Sequence, residues 1–222
     1  MDVFLVPVGP DRYELYCEEP DDVPPEAPPS GVFRRLVYRF NLMLAEAERE
    51  RRQASTPRPG GWLVRVRRRI MRWVAESIAE QRLLWQLRRR REATLVYPAD
   101  ISDPHARTLL RRHLSHDFER HRFWLAIDSL GLVASAALVL VPGPNVVAYY
   151  FAFRIVGHFL SVRGARQGIR CVTWAAHDSP PLAELRTIAA TPPQERAARV
   201  DDVAQRLRLE HFARFFQRIA VP

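Results

Sequence analysis

The chain contains no lysine. All 34 of its basic residues are arginine. A GC-rich coding sequence is the plain source of such a bias. The physical consequence stands regardless, because arginine grips phosphate and carboxylate through a two-pronged contact that lysine does not make. Cysteine is nearly as scarce, with only Cys17 and Cys171. They form no C-x-x-C and no disulfide framework, so a reduced intracellular setting is expected. The first residues lack a basic stretch followed by an apolar run, so no signal peptide is expected. Their acidic character likewise speaks against a transit peptide. No G-x-S-x-G, H-E-x-x-H, Walker or Rossmann pattern is present, and the serines and cysteines have no evident paired base. The expectation is a protein that is not an enzyme and uses no cofactor.

What is present is charge, unevenly placed. The 222 residues carry a formal net charge of +9, enough chain for one domain or a small domain with appendages. Residues 1–33 hold a net −7, residues 34–92 a net +11, and residues 93–222 a net +5. A strongly basic middle suits a phosphate-rich partner, either anionic lipid or nucleic acid.

Along the chain, Val3–Pro7 and Tyr13–Cys17 flank a Gly-Pro-Asp turn, so residues 1–17 read as a β-hairpin or a pair of extended segments. Residues 18–31 are acidic and Pro-rich and read as a linker. Residues 32–92 hold two amphipathic helices. In the second, Leu63, Val66, Ile70, Trp73 and Val74 oppose Arg65, Arg68, Arg69 and Arg72. That pattern fits a helix lying in a membrane interface with lipid-facing arginines, and equally a helix packed on a core. Residues 93–170 begin with a short strand at 94–98 that could pair with the hairpin. A helix follows from Pro104, capped by Ser102 or Asp103. Residues 171–222 read as a helical segment with starts at Ser179-Pro180-Pro181 and Thr191-Pro192-Pro193.

The most apolar stretch is Phe123–Val162. Two runs of 19 and 18 residues flank a turn of Pro142, Gly143, Pro144 and Asn145. A spanning helix needs about 20 apolar residues, so both runs are marginal. Arg120 and Arg122 precede them, and Arg163 and Arg166 follow. The positive-inside rule then expects both ends in the cytoplasm. The fold class expected is mainly α, a membrane helical hairpin with Arg-rich amphipathic helices and a small N-terminal β-hairpin. Within the hairpin, Asp128, Arg154 and His158 fall at similar depth if their faces meet. A central Arg or Asp costs roughly 2.5–3.5 kcal/mol on an insertion scale, and pairing offsets part of that. The three residues either lock the hairpin, handle protons or cations, or sit in a buried helical hairpin of a soluble protein. His113, His116 and Asp117 share one helix face at a spacing that can bind a metal, although no fourth ligand is evident and a solvated His-rich face reads the same way.

The opening MDVFLVPVGPDRYELYCEE, the central LVYPADIS, and ERHRFW…LVLVPGPNVVAYYFAFRIVGH together resemble the mitochondrial K+/H+ exchange-related proteins. These are fungal and plant inner-membrane proteins with bacterial relatives. The resemblance covers the N-terminal hairpin and about residues 94–170, and it is most specific at Pro144-Asn145, the aromatic run, Arg154 and His158. It implies involvement in potassium–proton exchange, by the protein itself or by a complex it supports. A single hairpin is small beside the repeats that build alternating-access carriers, so an accessory or regulatory component is expected. The expected place is a bacterial cytoplasmic membrane, or the mitochondrial inner membrane in a eukaryote. The expected partners are anionic lipid and another transport subunit or a second copy. The alternative is a soluble Arg-rich helical module on an acidic partner. Nucleic acid is disfavoured there, because no helix-turn-helix, RRM or zinc-finger pattern is present.

Overall fold

The computed structural model describes residues 1–18, 83–135 and 146–220. Four strands form one mixed sheet: β1 (Asp2–Pro7), β2 (Tyr13–Tyr16), β3 (Glu92–Pro98) and β4 (Thr173–Ser179). Their order is β2-β1-β3-β4. β1 and β2 are antiparallel, with Phe4 opposite Tyr16. The turn between them closes with Val8 N–H donating to Arg12 C=O at 2.8 Å. β1 is parallel to β3, and β3 is parallel to β4. The continuous apolar run of β1 explains its central place. Both Val3 and Leu5 on one face and Phe4 and Val6 on the other are buried.

Five helices are described: α1 (Asp103–Ser135), α2 (Val146–Arg170), α3 (Pro180–Ala189), α4 (Pro193–Leu207) and α5 (Phe212–Ile219). Residues 83–87 are also helical. α3 and α4 both open on proline, which supplies a helical φ where no backbone donor is needed. α4 ends at Arg208 in the left-handed conformation, with Leu209 N–H returning to Ala204 C=O.

The chain divides into two compact units. The first comprises 1–20, 86–119 and 163–222, and the second comprises 21–85 and 120–162. In the first, α3, α4 and α5 cover one face of the sheet. Phe4, Val6 and Val8 meet Leu182, Leu185, Ile188, Val203, Phe212 and Phe216 there. Ala106, Leu110 and Leu114 of α1 are buried at one-turn spacing. A Cβ placed on Gly168 of α2 would lie 3.1 Å from Leu114 and 3.2 Å from Leu87, so the backbone approaches closely at that point. Arg107 donates to Trp174 C=O, and the Trp174 indole donates to Gly168 C=O. Arg186 of α3 donates to Asp100, to Pro10 C=O and to the Tyr13 hydroxyl, stapling the sheet end to the helices.

Two expectations are corrected. The first is the membrane helical hairpin: no described helix is long and apolar enough to cross a membrane. The described apolar part of α1 contains Asp128, and Val146–Val162 of α2 contains Arg154 and His158, ionisable groups that lower the apolar character of both. The second is the β content. A four-stranded sheet replaces a small hairpin with one adjoining strand, because Thr173–Ser179 adds β4 within a region read as helical. Thr173 and Trp174 suit a strand, but Ala-Ala-His-Asp after them carries no β signature. The turn Pro142–Asn145 and the arginines Arg65, Arg68, Arg69 and Arg72 lie outside the described residues.

Candidate functional site

The second unit carries the concentration of buried polar chemistry. On α1, His121 and Asp128 are seven residues apart, two helical turns, and so share a face. On α2, Tyr150, Arg154 and His158 repeat every four residues and form a second row. The structure brings these rows together. Arg154 Nε donates to Asp128, with both carboxylate oxygens 3.0 Å away. His158 Nε2 lies 3.3 Å from Asp128 Oδ2. His158 Nδ1 lies 2.8 Å from His121 Nδ1. Arg154 Nη1 donates to the Tyr150 hydroxyl at 3.2 Å, and its guanidinium stands 5.5 Å from the Trp124 ring.

Asp128 is 2% exposed and His121 8% exposed. Burying a charge is costly unless it is paired and hydrogen-bonded, and Asp128 meets both conditions. Burial works against the Arg154 charge, but the hydrogen bond and charge of Asp128 outweigh it and hold the guanidinium above its usual pKa. Burial pushes the His121 imidazole down to about 4, helped by His158 and Arg120. Burial also lowers His158, against the upward pull of Asp128 and with the help of Arg154 and Arg120. Both rings are therefore neutral near pH 7.

Two contacts brace this arrangement. Gly131 faces the Phe151 ring so closely that an added Cβ would sit 2.5 Å from it. The Trp85 indole donates to Ser161 Oγ at 2.9 Å, and Ser161 returns to Gly157 C=O.

Asp128, Arg154 and His158, singled out from the sequence, thus form one cluster. His121 was missed. It precedes the apolar run at Phe123, and its seven-residue spacing to Asp128 was the available signal. The other histidine group does not assemble in this way. His113 belongs to the first unit, where burial lowers its pKa against the pull of Glu14. Among the described residues, one group of three ligand types lies close enough to share a cation: Glu18, Glu210 and His211. His113, His116 and Asp117 are not part of it. Glu18 there accepts from the backbone N–H of Glu210 and His211, just before α5.

The family pattern described as mitochondrial K+-H+ exchange-related matches residues 3–167. The chain belongs to this family. The matched region runs from β1 to near the end of α2 and contains all of His121, Asp128, Arg154 and His158. It stops before β4 and α3–α5. No curated protein and no solved structure matches the chain.

Proposed function

We propose that the chain is an accessory or regulatory component of potassium–proton exchange, and that the α1–α2 cluster is its proton-handling site. Family membership supplies the process. The single observation that supports the site is a carboxylate 2% exposed, held between a guanidinium and an imidazole, with a second imidazole behind. Perturbed titratable groups in such a cluster mark function more often than packing. A bonded pair of helices is small beside the repeats of an alternating-access carrier, which favours an accessory role. The reading assigns no covalent catalysis and no cofactor.

The proposed workplace is an anionic membrane surface, and the family's description points to the mitochondrial one. Phe123, Trp124, Ile127, Leu130 and Val133 form an exposed apolar row on α1. Residues 34–92 carry a net +11, which favours anionic headgroups. The proposed protein partner is another transport subunit or a second copy of the chain.

The test is potassium-driven proton movement in membrane vesicles from cells with and without the chain. Loss of flux on deletion, restored by the wild type and not by His158→Gln, supports the reading. Equal flux with and without the chain overturns it. Purified chain in potassium-loaded liposomes should carry no flux alone, and flux there would make it the exchanger itself.

A further inference from the structure

His121 and His158 meet through like atoms, Nδ1 to Nδ1 at 2.8 Å. A hydrogen bond there needs one proton between two nitrogens, so one ring donates and the other accepts. The far side of His158 decides which. Its Nε2 lies 3.3 Å from Asp128 Oδ2, and an ionised carboxylate only accepts. His158 therefore carries its proton on Nε2 and leaves Nδ1 bare. His121 donates from Nδ1 and leaves Nε2 bare. The chain of partners is directional: His121 to His158 to Asp128, with Arg154 on the other side of the carboxylate.

We propose that His121 and His158 form a two-ring proton relay, in which a proton taken up at His121 Nε2 is held on His158 against the Asp128 carboxylate. The arriving proton forms an N–H bond at His121 Nε2. The Nδ1–H bond of His121 breaks, its electron pair staying on that nitrogen. The released proton forms an N–H bond at His158 Nδ1. His121 ends neutral in its other tautomer. His158 ends as an imidazolium whose two N–H groups point to His121 Nδ1 and to Asp128. No hydrogen bond is lost, and the new charge rests beside a buried anion. Placing it on His121 instead would leave it next to Arg120 with no carboxylate in contact.

Among the described residues, the charged groups facing the pair are Arg120 and Asp128 of α1 and Arg154 of α2. The two arginines resist loading, and Asp128 favours it. The lowered pKa of both rings keeps the relay empty near pH 7 and fills it only from an acidic side. Loading makes His158 compete with Arg154 for one carboxylate. Arg154 retains the Tyr150 hydroxyl as a second partner, so the site can change charge without stranding the guanidinium.

This inference rests on the proton-handling reading of the site, but its test reads the rings directly and involves no potassium. The full chain, labelled with 15N-histidine, is titrated by NMR from pH 7.5 to 5, above the range in which His121 itself takes a charge. The expected result is one concerted step: His121 moves from Nδ1–H to Nε2–H without becoming charged, while His158 becomes doubly protonated. A charged His121, or two rings titrating independently, overturns the relay. His121→Asn keeps a donor near the Nδ1 position and has no second ring nitrogen. In that variant His158 should still titrate, with its proton exchange with water slowed at least tenfold. Unchanged exchange also overturns the relay, and should the variant fail to fold, the wild-type titration decides. A concerted titration alongside unchanged flux in His158→Gln would sink the transport reading and leave the relay standing.

Discussion

At the scale of single residues, the folded chain holds three imidazoles against protonation. His121 falls from 6.5 to about 4 in the folded state, chiefly through burial, and His158 and His113 are lowered as well. Between the folded and unfolded values the unfolded chain binds more protons, so stability rises with pH there. The contribution is fully present above pH 6.5 and is lost as pH falls towards 4. For His121 alone it is at most about 3 kcal/mol. Urea midpoints should fall steadily from pH 7 to 4.5, and fall less in His121→Asn. An unchanged slope would contradict the burial account. Arg196 makes a contrasting case. It is 3% exposed, and among the described residues its side chain donates only to Ala220 C=O and leaves Nε and Nη1 buried without hydrogen-bond partners. Replacing a buried, poorly paired charge by an apolar side chain of similar length is neutral or stabilising, by up to about 2 kcal/mol. Arg196→Met should therefore keep or raise the melting temperature, and a clear drop would reveal a partner for the guanidinium.

The residue pattern made much of the cluster legible. Counting outward from the Pro-Gly-Pro-Asn turn placed Asp128, Arg154 and His158 at one level, and the helical period did the rest. His121 precedes the apolar run that begins at Phe123, so the sequence groups it with the histidines before it and not with Asp128. A bonded ring pair depends on side-chain direction across two helices, which spacing within one helix does not reveal.

At the scale of elements, Gly131 of α1 lies against the Phe151 ring of α2 with no room for a side chain. Gly131→Ala gains helix propensity of about 1 kcal/mol but drives a methyl into three ring carbons, an overpacking cost of about 1–3 kcal/mol. The net expectation is a loss of about 1 kcal/mol in urea unfolding. Adding Phe151→Leu to Gly131→Ala should recover most of it, and no recovery would place the strain elsewhere. The elements themselves were unevenly readable. The hairpin of β1 and β2, the helix from Asp103, and the proline starts of α3 and α4 follow from turn, cap and proline chemistry. β4 was not readable, because Ala175 to Asp178 owe their extended form to four register partners, Thr94 to Tyr97, on β3. Tertiary pairing overrides weak local preference at such a strand. The membrane reading failed on a different ground. Apolar composition over a window says how much surface resists water, and an exposed apolar row beside a buried ionic cluster satisfies it as well as a spanning helix does.

At the scale of the whole molecule, the family match and the folded unit have different edges. The match ends at residue 167, yet β4 and all of α3–α5 lie beyond it. Those later elements cover Phe4, Val6 and Val8. A chain ending at 167 should therefore expose the β1 face and lose cooperative unfolding of the first unit. Urea titration followed by far-UV circular dichroism would show a single sharp transition for the full chain and a broad one for the truncation. A sharp transition in both would mean that the matched region folds alone.

The position of β1 at the centre of the sheet also sets a timetable. Its neighbour β3 begins at residue 92, and the helices that cover it begin at 180. A ribosome adding about 5–20 residues per second needs on the order of ten seconds to deliver those helices. For that interval Phe4, Val6 and Val8 form an apolar face with no helix over it. Chaperone contact during synthesis should therefore map to Asp2–Pro7 and release when α5 emerges.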